Sequence, residues 1–124
     1  MARILLVEDD QWTIDSLSKV LIEKGKHEVE TAFDAKQALK KIAERANFDL
    51  LITDIYMKHS GIELISELRN QQKHIPTIAI SGGSVIGGNT VLLDVVGMIG
   101  ADITLTRPVK AEQLIESVSK LLNI

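Results

Sequence analysis

Short apolar runs and helix-period stretches alternate along the chain. Residues 3–7 (RILLV) are continuously apolar after Arg3, as a strand covered on both faces should be. Residues 10–24 carry Ile14, Leu17 and Leu21 at helical spacing, with Gly25 placed to end the helix. Residues 27–32 (HEVETA) alternate imperfectly and predict an edge strand. Asp34 and Gln37 form a capping-box pattern, followed by Ala35, Ala38, Leu39, Ile42 and Ala43 on one helical stripe. A third strand is predicted over 49–53 (DLLIT), then a short helix over 61–69 with Ile62, Ile65 and Leu68 inward. Residues 76–80 (PTIAI) predict a fourth strand, its proline at the first position, where a missing N–H is tolerated. After a glycine-rich loop over 82–88, the pattern predicts a helix over 90–99 and a fifth strand over 103–106. A last helix follows over 109–122, with Leu114, Val118 and Leu121 inward.

Alternating strands and helices with short connections imply an α/β fold, a parallel sheet between two layers of helices. Five such units are too few for an eight-fold barrel, so an open doubly wound sheet is expected. Residues 1–124 read as a single domain with no internal repeat or linker, and no output domain is expected. The composition is ordinary for a globular domain, with 45% apolar and 25% charged residues. A net charge of −3 offers no basic footprint, so direct nucleic-acid binding is not expected. The absence of cysteine excludes disulfides, thiolate metal sites and cysteine nucleophiles. The start (MARILLVED) is too short for a signal-peptide core, and the most apolar stretch, 91–99, is interrupted by Asp94. A soluble cytoplasmic domain without membrane contact is expected.

In an open parallel sheet the ligand site lies beyond the carboxyl ends of the strands. The first strand ends in Glu8-Asp9-Asp10 and the third in Asp54. If those strands are neighbours, carboxylates converge with no obvious compensating cation beside them. Two charges ~4 Å apart repel by about 4 kcal/mol at a surface-like dielectric, and a hard divalent ion such as Mg²⁺ relieves this. The plainer alternative makes Glu8 to Asp10 a solvated helix start and Asp54 a turn residue. Ser81 ends the fourth strand before Gly82 and Gly83, where a hydroxyl and backbone N–H groups can grip phosphate oxygens. Arg107 ends the fifth, placed to pair with Asp54 or with a phosphoryl group on it. Together these groups suit phosphoryl chemistry.

The motifs ILLVEDD, DLLITDIYM, PTIAIS and GADITLTRP, in this order, resemble the receiver domain of two-component response regulators over essentially the whole chain. The resemblance implies a five-stranded parallel sheet in the order 2-1-3-4-5 with five helices. It makes Asp54 the phosphoacceptor, taking a phosphoryl group from a sensor histidine kinase or a phosphotransfer protein. Asp9 would bind Mg²⁺ directly and Glu8 through water, with Asp54 and the Tyr56 carbonyl completing the site. Ser81 and Arg107 would act on the phosphoryl group, and Gly82 would offer it a backbone contact. Such a domain is a timed switch with weak self-phosphatase activity, not an independent enzyme.

Four positions depart from the family pattern. Arg107 stands where the family nearly always has lysine, and its planar fork is bulkier than an ammonium. Thr104 replaces an aromatic ring that swings inward in many receivers. The 81–107 connection is long and glycine-rich, and Lys58 stands where proline is common. Residues 90–99 would be apolar on nearly every side, so either the loop buries them or the 90–122 face docks a target or a second copy. Trp12 reads as a partly exposed first-turn aromatic, and His27, His59 and His74 as surface residues. The run GSVIGGNT approaches a phosphate-binding loop but has Asn89 in place of its lysine, which argues against a nucleotide enzyme. The remaining rival is a degenerate receiver that binds protein without being phosphorylated.

Overall fold

A computed structural model describes residues 2–45, 47–55, 61–71, 74–81 and 100–124. The strands are β1 (Arg3–Val7), β2 (Glu28–Ala32), β3 (Leu50–Asp54), β4 (Thr77–Ser81) and β5 (Ile103–Thr106). They form one sheet in the order β2-β1-β3-β4-β5, and every pairing is parallel. The helices are α1 (Gln11–Lys19), prolonged by a π-helical turn over Val20–Lys24, then α2 (Ala35–Arg45), α3 (Gly61–Asn70) and α4 (Ala111–Leu122). Four helices of the five expected thus stand among the described residues; the one expected over 90–99 lies outside them.

The central strands are mostly apolar and buried along nearly their whole length because both faces are covered. Ile4, Leu6, Leu50, Ile52, Ile78 and Ile80 pack with Leu21, Leu114 and Val118 from the α1 and α4 side. Leu5, Val7 and Leu51 point the other way, toward Ala35, Ala38 and Ile42 of α2 and Leu64 and Leu68 of α3. Fully burying one such aliphatic chain contributes about 1.5–3 kcal/mol, so these two layers hold the sheet.

Strands β3 and β4 begin one residue later than the sequence pattern predicts. Pro76 has no N–H to donate, although its carbonyl accepts from Leu51 N at 2.9 Å. At the other end the Ile55 amide donates to the Ile80 carbonyl at 3.0 Å, which draws Asp54 into the ladder. Asp54 and Ser81 are therefore the last residues of their strands.

Two local expectations are corrected, while Gly25 ends the helix as expected: it is the C-cap of the π-helical turn with φ −88°, and the next residue, Lys26, takes the positive φ of 59°. Glycine is needed there for space, since a Cβ would lie 2.6 Å from His27 Cδ2 and 2.8 Å from the Leu21 carbonyl oxygen. His27 is buried, not on the surface, and its Nδ1 accepts the Ala2 N–H at 3.1 Å. Burial holds the His27 imidazole below its usual pKa, as does the nearby chain terminus. Ala43 is exposed, because the buried stripe of α2 runs through Ala35, Ala38 and Ile42. The Asp34–Gln37 pattern does cap α2: Gln37 N donates to Asp34 Oδ1 at 2.8 Å, and Gln37 Oε1 accepts from Phe33 N at 2.9 Å.

Candidate functional site

The sheet order brings the carboxyl ends of β1, β3, β4 and β5 side by side. Glu8 follows β1 directly and is pinned by its amide, which donates to the Ala32 carbonyl of β2 at 3.0 Å. In the register Val7 lies opposite Thr53, and Asp54 opposite Ile80, so Glu8, Asp54 and Ser81 follow one another along the sheet edge. All three are buried, at 1%, 4% and 2% exposure, which is exceptional for two carboxylates. Asp9 is exposed, yet one oxygen from each of Glu8, Asp9 and Asp54 falls within 4.8 Å of the others.

Asp10 does not join this cluster. Its carboxylate caps α1, accepting from Thr13 N at 3.0 Å and from Thr13 Oγ1 at 2.7 Å. The solvated helix-start reading holds for Asp10, while Glu8 is buried and departs from it.

The cluster has a counter-cation: the pairing of Arg107 with Asp54 that the sequence allowed is present, and it extends to Glu8. Pairing of β5 with β4 sets Thr106 opposite Ser81, and the Arg107 amide donates to the Ser81 carbonyl at 3.0 Å. Arg107 precedes Pro108 through a cis peptide bond. From that anchor its Nη2 donates to Asp54 Oδ2 at 2.5 Å and also to Glu8 Oε2. A single nitrogen thus bridges both buried carboxylates. The Glu8 pKa is nevertheless pushed up to about 8, first by burial and then by its hydrogen bond to Asp54 and the charge there. Arg107 and the Asp10 amide, which donates to Glu8 Oε1 at 3.2 Å, pull the other way without prevailing.

The Ser81 Oγ is buried and has no hydrogen-bond partner among the described residues. Buried hydroxyls are normally satisfied, so an open valence at the strand end beside Asp54 marks a place for a further polar group. Tyr56 and Gly82 lie outside the described residues, as do Lys58 and the 90–99 segment. Thr104 is exposed on β5 and fills no interior pocket. Trp12 stands 77% exposed on the first turn of α1, on the same side of the sheet as the acids. The donor set of three carboxylates, all oxygen, suits a hard divalent cation such as Mg²⁺.

The family model for the response regulator receiver domain matches residues 4–119. The chain is 30% identical over 123 residues to the alkaline phosphatase synthesis transcriptional regulatory protein PhoP of Bacillus subtilis, covering 98% of this chain and 49% of that protein. It is 31% identical over 121 residues to the response regulator MprA of Mycobacterium ulcerans, covering 97% and 50% respectively. The chain therefore spans about half the length of the curated relatives it matches. Among solved structures, a response regulator receiver domain protein from Clostridium thermocellum superposes with a TM-score of 0.88 at 26% identity, covering 99% of this chain and 95% of that one. The receiver domain of NtrX from Brucella abortus gives a TM-score of 0.83 at 32% identity, covering 97% and 98%.

Proposed function

Since the chain belongs to the response regulator receiver family, we propose that Asp54 is its phosphoacceptor and that a histidine kinase or phosphotransfer protein is its donor. The observation that carries this reading is a buried Asp54 with, at the next strand end, a buried Ser81 hydroxyl that has no partner among the described residues. An Asp54 oxygen attacks the phosphorus of a phosphohistidine. The new O–P bond forms as the P–N bond breaks, and the electron pair returns to the imidazole, which takes up a proton. The product is an aspartyl phosphate, which water later hydrolyses to restore the carboxylate.

Such a transfer needs positioning and charge neutralisation more than covalent machinery. Glu8, Asp9, Asp54 and the Tyr56 carbonyl would hold Mg²⁺, which supplies charge neutralisation for the phosphoryl oxygens when bound. Ser81 Oγ donates to one phosphoryl oxygen, filling its open valence, and the Gly82 N–H serves another. Arg107, already directed at Asp54, turns to the phosphoryl group once that group carries the charge. The phosphorylated domain then acts by protein contacts, with the 90–122 face as the surface offered to a target or to a second copy of the chain. A cytoplasmic setting, slow self-phosphorylation from small donors and slow autodephosphorylation belong to the same proposal. No helix among the described residues is long and apolar enough to cross a membrane.

The second reading is a binding module that is never phosphorylated. What favours it is Arg107, which already neutralises Asp54 in the free chain. Intact mass after incubation with acetyl phosphate, with and without Mg²⁺, separates the two. One phosphoryl adduct that requires Mg²⁺ and is lost in Asp54→Ala supports the switch. No adduct from acetyl phosphate or from phosphorylated kinase domains would establish the binding module instead.

A further inference from the structure

Taking the acid pocket as a Mg²⁺ site, as proposed above, we infer that Arg107 is its resident counter-cation. The guanidinium competes with the divalent ion for Glu8 and Asp54, and the ion loads only as the guanidinium withdraws.

The argument begins with the bridging nitrogen. Arg107 Nη2 carries two hydrogens and spends both on buried carboxylates, one on Asp54 Oδ2 at 2.5 Å and one on Glu8 Oε2. Mg²⁺ requires oxygen ligands at about 2.0–2.1 Å in near-octahedral array. An ion held by Asp54 directly and by Glu8 through water would draw on the same carboxylate oxygens that this nitrogen now engages. The guanidinium and the ion with its waters cannot both use those oxygens, so occupancy is exclusive.

The molecule is also built to let the arginine go. Its backbone stays tied to β4 through the amide bond to Ser81, while its side chain is 32% exposed against 2% for Glu8 and 4% for Asp54. The guanidinium therefore has a path to water that the acids lack, and only χ angles need change. Asp9 is exposed and is not part of the bridge, which leaves one carboxylate available to receive the ion first. Arginine does not deprotonate in the accessible pH range, so Mg²⁺ concentration, not loss of the arginine's charge, sets the balance. The pocket thus has a threshold: low Mg²⁺ leaves it latched by Arg107, and high Mg²⁺ opens it.

Calorimetric titration with MgCl₂ alone tests this on the wild-type chain and on Arg107→Gln. The variant should bind Mg²⁺ at least about tenfold more tightly, because the ion no longer displaces a bound cation. Equal or weaker binding in the variant overturns the inference while leaving the metal site intact. Absence of binding in both proteins overturns the metal reading of the pocket and this inference with it. Arg107→Gln leaves two buried acids unpaired and is open to folding failure, so the wild type supplies a second readout. The Arg107 Nε–H NMR signal should move toward that of a solvent-exposed arginine as MgCl₂ saturates the site. A signal unchanged at saturation overturns the inference whatever the variant does.

Discussion

The two ends of the same sheet treat their acids in opposite ways. At the amino end each acid caps one group and stays in contact with water. Asp49 Oδ2 accepts the Arg3 amide at 2.8 Å, Asp102 Oδ2 accepts the Thr77 amide at 2.8 Å, and Glu28 pairs with the Arg3 guanidinium at 3.2 Å. At the carboxyl end Glu8 and Asp54 are buried, share one guanidinium nitrogen, and adjoin a serine hydroxyl with no partner among the described residues. The first arrangement lowers the energy of the fold. The second raises it, since Glu8 must keep its proton far above the ordinary carboxylate range to lie buried beside Asp54. Local rules are kept where the chain only has to fold and broken where a ligand is to complete the set.

Substitutions at the two ends should therefore differ in sign. The largest effect is expected at the amino end, from Gly25→Ala. Its Cβ would meet the Leu21 carbonyl oxygen at 2.8 Å and His27 Cδ2 at 2.6 Å. A loss of about 2–3 kcal/mol in urea unfolding is expected, and a neutral result would show that the α1–β2 corner is softer than described. Glu8→Gln should do the reverse, stabilising the Mg²⁺-free chain at neutral pH by about 1–2 kcal/mol, because a neutral amide escapes the cost of holding the Glu8 carboxyl protonated beside Asp54. Asp49→Ala, its counterpart at the other end, should cost about 1 kcal/mol. If both acid substitutions destabilised equally, the contrast between the ends would collapse.

Two pH slopes sharpen the same comparison. Glu8 holds its proton in the fold up to about 8, whereas the unfolded carboxyl releases it near its ordinary value of 4.5. Its contribution to stability is thus complete below that lower value and is lost as pH rises toward 8. His27 is lowered from 6.5, so the unfolded chain binds its proton first. That contribution is present above 6.5 and fades as pH falls below it. Unfolding measured across pH without Mg²⁺ should show both slopes, the alkaline one absent in Glu8→Gln and the smaller acidic one absent in His27→Gln. A profile indifferent to both substitutions would remove the electrostatic basis of the comparison.

Much of this was legible in the sequence because strand ends are legible. An acid that closes a continuous apolar run, as Glu8 closes ILLV and Asp54 closes LLIT, must sit at a sheet edge. Parallel topology then gathers such edges on one side, and Ser81 followed by the same logic. The pairing of Arg107 with Asp54 was legible from their strand ends, but its reach to Glu8 was not, since which further oxygens a long side chain meets depends on how β5 sits against β4 and on burial of both acids. The environment of His27 was missed for a different reason. Its signal was a glycine two residues earlier, and that signal reads equally well as a helix cap until the space for a Cβ is measured. The π-helical turn at Val20–Lys24 leaves the 3.6-residue pattern of Ile14, Leu17 and Leu21 intact and so left no mark on the periodicity.

The bridge through Arg107 has a consequence for the order in which the protein is made. The contacts it closes span 99 residues to Glu8 and 53 to Asp54. During synthesis from the amino end, β1 and β3 emerge with their acids well before their cation exists. Contacts of such long sequence separation form late, after loop-closure entropy has been met by the core. The acid pocket is then the last part of the molecule to mature, and a nascent chain that ends short of β5 lacks the guanidinium that bridges Glu8 and Asp54.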